Sequence, residues 1–208
     1  MTAYKNFVQD FPVRCKDILE LAESQAIHQE REVTLLLVVT SAAIVVPYER
    51  LRSDGRFLHP SSDRGRFAEA STKLDALLTS KFLGSALWNQ EGAQSWKHGK
   101  LKSVTGDPDA WPGLDKHKPI NKDKLTRSIL KIIRNALAHG NVYTQGDSIK
   151  NLIFVSHVSD DRTQQIKEWQ CIQVSPNDFK SFLNQWFHFI EVLDIPQAVV
   201  PESLQLAE

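Results

Sequence analysis

Apolar residues recur along this chain first at helical spacing, then in two short β-type runs, then at helical spacing again. The pattern predicts a first helix opened by Phe11-Pro12 and running to about Gln29, with Val13, Ile18, Leu21 and Ala22 facing inward. A second is expected over about residues 30–52, and its stretch 33–46 is apolar on every side. A helix of that kind is central in a bundle or lies at a dimer interface. The apolar run is shorter than the roughly 20 residues a bilayer requires, and Pro47 and Glu49-Arg50 follow at once, so no membrane role is expected.

Ser53-Asp54-Gly55 breaks the chain before a third predicted helix over residues 62–83, carrying Phe67, Leu74, Leu77 and Leu78. Residues 84–119 read as a long irregular segment holding Trp88, Trp96 and Trp111. Helical spacing resumes from Asn121 or Lys122 to His139, with Leu125, Ile129, Ile132, Ile133, Ala136 and Leu137 on one stripe. Two β-rich runs, 149–155 and 169–174, flank Asp160-Asp161-Arg162 and predict a hairpin. Ser175-Pro176-Asn177-Asp178 is a helix start, with a capping Ser, Pro in the first helical position and an early acid. The last helix carries Phe179, Phe182, Leu183, Trp186, Phe187, Ile190 and Leu193, and His188 reads as a surface residue. The expected fold is mainly α, a helical bundle with a small β-hairpin inserted before the C-terminal helix. Residues 1–195 are expected to form one domain and 196–208 a tail.

Charge changes this picture only locally. Lys and Arg number 25, as do Asp and Glu, so no global field attracts nucleic acid. Between residues 96 and 134, however, ten Lys/Arg stand against four Asp/Glu. Basic groups among aromatics suit single-stranded nucleic acid, and equally suit a solvated loop whose tryptophans cover the bundle. Cys15 and Cys171 are far apart, with no ligand spacing around them, which argues against a disulfide framework and a metal site and fits a reducing cytoplasm. The N-terminal Met-Thr-Ala-Tyr-Lys-Asn-Phe lacks the apolar core of a signal peptide. No Gly-x-Ser-x-Gly and no Gly-rich phosphate loop occurs, which sets aside a Ser or Cys hydrolase and a nucleotide hydrolase.

The densest chemistry lies in Ile133-Arg134-Asn135-Ala136-Leu137-Ala138-His139-Gly140-Asn141. An Arg fork suits a phosphate, and an imidazole moves protons near neutral pH. Arg134 and His139 are about 140° apart around the helix axis, so a second copy of the helix would join them more easily than one copy alone. The same residues also make an ordinary helix end, with His near the negative dipole terminus and Gly just beyond. Arg127, Lys131, Arg134 and Asn135 fall on the solvent-facing arc. Glu49, Arg50 and Arg52, at the end of the apolar helix, are secondary candidates, with a helix-end ion pair as the simpler reading.

With its helices in this order and Arg134-Asn135 set before His139, the chain resembles the HEPN superfamily. The supporting company is Val-Val-Pro-Tyr-Glu-Arg-Leu, Arg-Asn-Ala-Leu-Ala-His-Gly-Asn, the hairpin and the Phe/Trp-rich last helix, over about residues 10–193. The resemblance implies a HEPN-like helical bundle and a metal-independent endoribonuclease of prokaryotic toxin–antitoxin or defence systems, leaving 2′,3′-cyclic phosphate ends. It implies Arg134, Asn135 and His139 as catalytic residues, with Lys131, Arg127, Asn141 and Arg50 as RNA-binding candidates, and neither metal nor cofactor. It further implies a cytoplasmic homodimer, with RNA and an antitoxin or nucleotidyltransferase as partners. The alternative is a non-catalytic module that grips RNA or protein.

Overall fold

The computed structural model describes residues 4, 6–52, 68–88, 95–104, 106–160, 163 and 165–193. Five helices pack on one face of a five-stranded antiparallel sheet. The helices are α1 (Phe7–His28), α2 (Glu32–Leu51), α3 (Ala68–Thr79), α4 (Thr126–His139) and α5 (Pro176–Glu191). The strands are β1 (Lys97–Leu101), β2 (Lys118–Pro119), β3 (Val142–Gln145), β4 (Asn151–Ser159) and β5 (Ile166–Val174), in the order β2-β1-β5-β4-β3.

α1 differs from expectation at its start and in its orientation. Asn6 precedes the helix, and its N–H donates to the Asp10 carboxylate at 2.9 Å, while the Phe7 and Phe11 rings stack one turn apart. These contacts fix the first turn, so Pro12 is carried inside the helix. The buried face is Val8, Pro12, Cys15, Leu19 and Ala26, whereas Ile18 and Leu21 are exposed and Val13 and Ala22 only half-buried. Both stripes have helical spacing, and only the position of α2 chooses between them.

α2 is the core helix. At 20 residues it meets the length and apolarity of a bilayer span, beyond what the run 33–46 suggested, yet nine of its residues are buried within the fold. Pro47 lies inside it and has no N–H to return to the Ala43 carbonyl. The indole N–H of Trp186, on α5, donates to that carbonyl instead, at 2.8 Å. Thr40 and Ser41 donate to the Leu36 and Leu37 carbonyls one turn back, so their hydroxyls are satisfied within the helix.

The third helix is shorter than predicted: α3 covers Ala68–Thr79, with Leu74, Leu77 and Leu78 buried, and a single tight turn follows at Phe82–Gly84. Residues 53–67, including Ser53-Asp54-Gly55 and Phe67, lie outside the described residues. α4 begins at Thr126 rather than near 121. Leu125 is the exposed residue before it, at 41%, and not part of the inward stripe.

The expected small hairpin is the middle of a larger sheet. β4 and β5 pair antiparallel over most of their lengths, β3 flanks β4, and β1 and β2 extend the other edge. Leu152, Phe154, Ile172 and Val174 face the helices; Ile153, Val155 and Cys171 face a second cluster with Leu101, Trp111 and Leu114. The unbroken Leu-Ile-Phe-Val of β4 thus reflects burial on both faces, where alternation would mark a solvent face. Segment 84–119 supplies the cover and two strands. Its pattern hid them because Lys-His-Gly-Lys-Leu in β1 is mostly polar. The start of α5 follows expectation: Ser175 Oγ accepts from the Asp178 N–H at 3.1 Å, and the Phe/Trp stripe is buried.

The Pro47 arrangement gives a double-mutant test. Trp186→Phe should cost about 1–3 kcal/mol in urea unfolding, because the Ala43 carbonyl is stranded. In a Pro47→Ala background the helix can supply its own donor, and the cost should shrink clearly. An equal cost in both backgrounds would refute this account.

Candidate functional site

α4 buries Ile129, Leu130, Ile132, Ile133 and Ala136, which turns its polar arc outward along the end of the sheet. Its C-terminus is closed by Gly140 in the left-handed conformation (φ 68°). The N–H groups of Gly140 and Asn141 both return to the Ala136 carbonyl, and the Asn141 carbonyl accepts the Val155 N–H of β4 at 3.0 Å. The helix end is therefore pinned to the sheet beside the three motif residues.

Two of these three are joined. Arg134 Nη1 donates to Asn135 Oδ1 at 2.7 Å, and Asn135 Nδ2 donates to Ser156 Oγ on β4 at 3.1 Å. Arg134 Nη2 is in direct ion-pair contact with Glu49 of α2, whose other oxygen takes Arg52 Nη2 at 3.0 Å. Arg52–Glu49–Arg134–Asn135–Ser156 thus forms one chain of contacts across α2, α4 and β4. The Glu49 and Arg134 side chains are only 14% and 21% exposed, so water screens this pair incompletely. Arg134 Nε is buried without a hydrogen-bond partner.

His139 stands apart from that chain. It is exposed at the last position of α4 and has no hydrogen bond or ion pair to a described residue. Five helical residues put its Cβ about 10 Å from that of Arg134. One copy of the chain does not bring imidazole and guanidinium together.

The other sequence candidates scatter. Lys131 is exposed on the α4 arc, while Arg127 is half-buried there and has partners within the fold. Asn141 is half-buried and acts through its backbone. Arg50 turns away from the cluster: its guanidinium lies 5.0 Å from the centre of the Phe7 ring of α1. Glu49 and Arg50 are adjacent in sequence but about 100° apart around the helix, and only the former faces α4. Ser156 was not singled out in the sequence. Its signal is a polar residue in phase with Leu152 and Phe154, on the helix-facing side of β4.

A second polar region lies at the β1–β2 edge. An open cavity of about 850 Å³ is lined by His98, Gly99, Lys100, Lys116, Lys118, Pro119, Asn121 and Lys124. Lys124 Nζ is 3.4 Å from His98 Nε2, and Lys100 pairs with Glu168 at 2.5 Å. Burial first, and then the Lys124 charge, push the His98 pKa down to about 4. Burial, with the neighbouring Lys100, also lowers that of Lys124. On the other face of the sheet, beside Cys171, the His117 ring packs so closely on Gly99 that a Cβ there would sit 1.9 Å from His117 Cδ2. Trp96 and Trp111, the aromatics that flank the basic residues in sequence, are 3% and 4% exposed and belong to the two cores. Both cysteines are buried and their thiols shifted upward by burial, Cys171 to about 12, so neither is a ready nucleophile.

Comparison with known proteins gives one family. The family model described as HEPN pEK499 p136 matches residues 1–197. No curated protein and no solved structure matches the chain.

Two predictions follow from the charges. Glu49→Ala leaves two partly buried guanidinium groups without their shared carboxylate and should cost about 1–3 kcal/mol in urea unfolding. The Glu49→Ala/Arg134→Ala double variant should lose less than the sum of the single losses, and strict additivity would show that the ion pair contributes nothing. His98 takes up its proton in the unfolded chain near its ordinary pKa of 6.5 but in the folded chain only near 4. Its contribution to stability is therefore intact above pH 6.5 and falls as the pH drops toward 4. Thermal unfolding of His98→Gln should show a shallower decline across that window than wild type.

Proposed function

The chain belongs to the HEPN pEK499 p136 family, and on that premise we propose that it is a metal-independent endoribonuclease. The observation that carries the reading is that Arg134, Asn135 and His139 share one helix, with the His139 imidazole exposed and unbonded among the described residues. A group that must exchange protons with substrate has to be reachable and unengaged, and this one is both. His139 removes the proton of the substrate 2′-hydroxyl while water protonates the leaving 5′-oxygen, or His139 protonates the 5′-oxygen while water takes the 2′-proton. The 2′-oxygen attacks phosphorus, the P–O5′ bond breaks, and the products are a 2′,3′-cyclic phosphate and a 5′-hydroxyl. Arg134 stabilises charge on the phosphoryl oxygens, and Asn135, fixed by Ser156, holds the guanidinium in orientation. The nucleophile belongs to the RNA, so the protein need activate no metal-bound water.

The roughly 10 Å between Arg134 and His139 on one helix supports a homodimer, in which two copies of α4 face each other across a two-fold axis. The proposed setting is a prokaryotic toxin–antitoxin or defence system in the cytoplasm, with an antitoxin or nucleotidyltransferase as partner. A second reading has its own support. The ion pair to Glu49 occupies part of the Arg134 fork, which suits a HEPN module that binds RNA or protein without cutting.

Cleavage of total RNA in EDTA separates the two. Wild type should cut and leave cyclic-phosphate ends, and Arg134→Ala and His139→Ala should each lose about 10²- to 10⁴-fold in rate while keeping the wild-type circular dichroism spectrum. Full activity of folded His139→Ala would remove the nuclease mechanism. RNA binding without cleavage by wild type would favour the module.

A further inference from the structure

The lysine-lined cavity at the β1–β2 edge is not part of the motif, yet the sheet connects the two. Ser156 of β4 is paired in register with Gln170 of β5, and Gln170 with Lys100 of β1. Residues opposite one another on adjacent strands point to the same face. Ser156, which holds Asn135, therefore shares one face of the sheet with Lys100, at a distance of about 10 Å given the ordinary spacing of two strands. One pair deeper, His98 of β1 lies opposite Lys118 of β2 and touches Lys124, just ahead of α4. The outer arc of α4, with exposed Lys131, runs between this end and Arg134. A basic track thus leads from the motif to the cavity.

The cavity itself is charged beyond what the fold requires. Four lysines line it, and no carboxylate is among the lining residues. Lys100 is partly neutralised by Glu168, but Lys116 and Lys118 are exposed and make no ion pair with a described residue. Lys124 has its pKa lowered by burial and by Lys100. Like charges gathered in a concave site repel one another, and an anion held there would relieve that cost. Lysines act as mobile point charges that suit successive phosphates without reading bases.

We propose that this cavity is an accessory phosphodiester-binding site, which holds the backbone of single-stranded RNA a short distance along the strand from the phosphate at Arg134. The assignment rests on RNA being the ligand of the Arg134 site, and goes beyond that reading in naming a second point of contact. Lys116, Lys118 and Lys124 supply the charge; buried Trp96 and Trp111 offer no stacking, so binding there is indifferent to sequence.

The test uses two substrates on the full chain. The first is a 12-nucleotide single-stranded RNA with 2′-O-methyl groups, which binds but cannot be cut, followed by fluorescence anisotropy over a range of salt. The second is a dinucleoside monophosphate, whose single phosphate can occupy only one of the two sites. Removing three phosphate contacts in Lys116→Ala/Lys118→Ala/Lys124→Ala should reduce the log–log salt slope by about 2 and weaken 12-mer binding about 50-fold at 0.15 M salt. Dinucleotide cleavage should be unchanged. Lys116→Glu/Lys118→Glu, confined to exposed positions, guards against a folding defect from Lys124 and should weaken the 12-mer likewise. An unchanged slope, or an equal loss on dinucleotide and 12-mer, overturns the accessory site while leaving the nuclease reading intact. Wild type that binds the 12-mer but cuts neither the dinucleotide nor total RNA overturns the nuclease reading alone, provided the lysine variants still lose binding. Wild type that does not bind the 12-mer overturns both.

Discussion

The carbonyl that Pro47 leaves without a helical donor is the constraint around which the rest of the molecule is arranged. A buried, unpaired carbonyl is expensive, and the indole N–H of Trp186 is the group that satisfies it. That bond links α5 to α2 at one residue, Ala43, and so fixes how the two helices lie against each other. Glu49 comes two residues after Pro47 on the same helix. The side chain that meets Arg134 is thereby positioned by a hydrogen bond in the core. Buried Thr40 could have disturbed the same helix, but its hydroxyl bonds one turn back, and the apolar surround remains closed.

From there the electrostatics are local. The chain carries no net charge, yet the motif region holds two arginines on one carboxylate and the β1–β2 edge gathers four lysines. Charges of one sign can be concentrated like this only on a rigid support. The two-faced sheet is that support. One face takes the helices and the other the Leu101–Trp111–Leu114 cluster, so β4 and β5 are held from both sides. Ser156 and Lys100 keep their separation because a register of paired backbone groups sets it.

The Glu49–Arg134 contact gives the site its character. A guanidinium with one face on a carboxylate and another on Asn135 is held in one orientation by the fold. Among the described residues His139 has no such anchoring, so the two halves of the motif differ in kind: Arg134 is tied to two neighbouring elements, and the imidazole stands exposed at the helix end.

α4 and α5 could be read from spacing, because burial of one stripe leaves a 3.6-residue period in any amphipathic helix, and α2 from the length of its unbroken apolar run. The Ser175 cap and the Gly140 stop were equally legible, since both rest on contacts within four residues. Arg134, Asn135 and His139 stand out as candidates in the same way, because the pattern itself marks them. Long-range pairing was not legible in this way. β1 is a strand because β5 offers it a partner, and β2 because β1 does, and Lys-His-Gly-Lys-Leu carries no alternation that would announce it. The face of α1 was ambiguous for the same reason, as two apolar stripes had equal spacing and only contact with α2 buried one of them. The Glu49–Arg134 pair joins residues 85 positions apart, the Ser156 contact joins residues 21 apart, and the four lysines converge from several separate elements. Most helices, and the side chains that are candidates for chemistry, could be picked out from the chain because they depend on near neighbours in it. Which of those side chains meet was set only by folding, because such meetings depend on the path of the backbone between them.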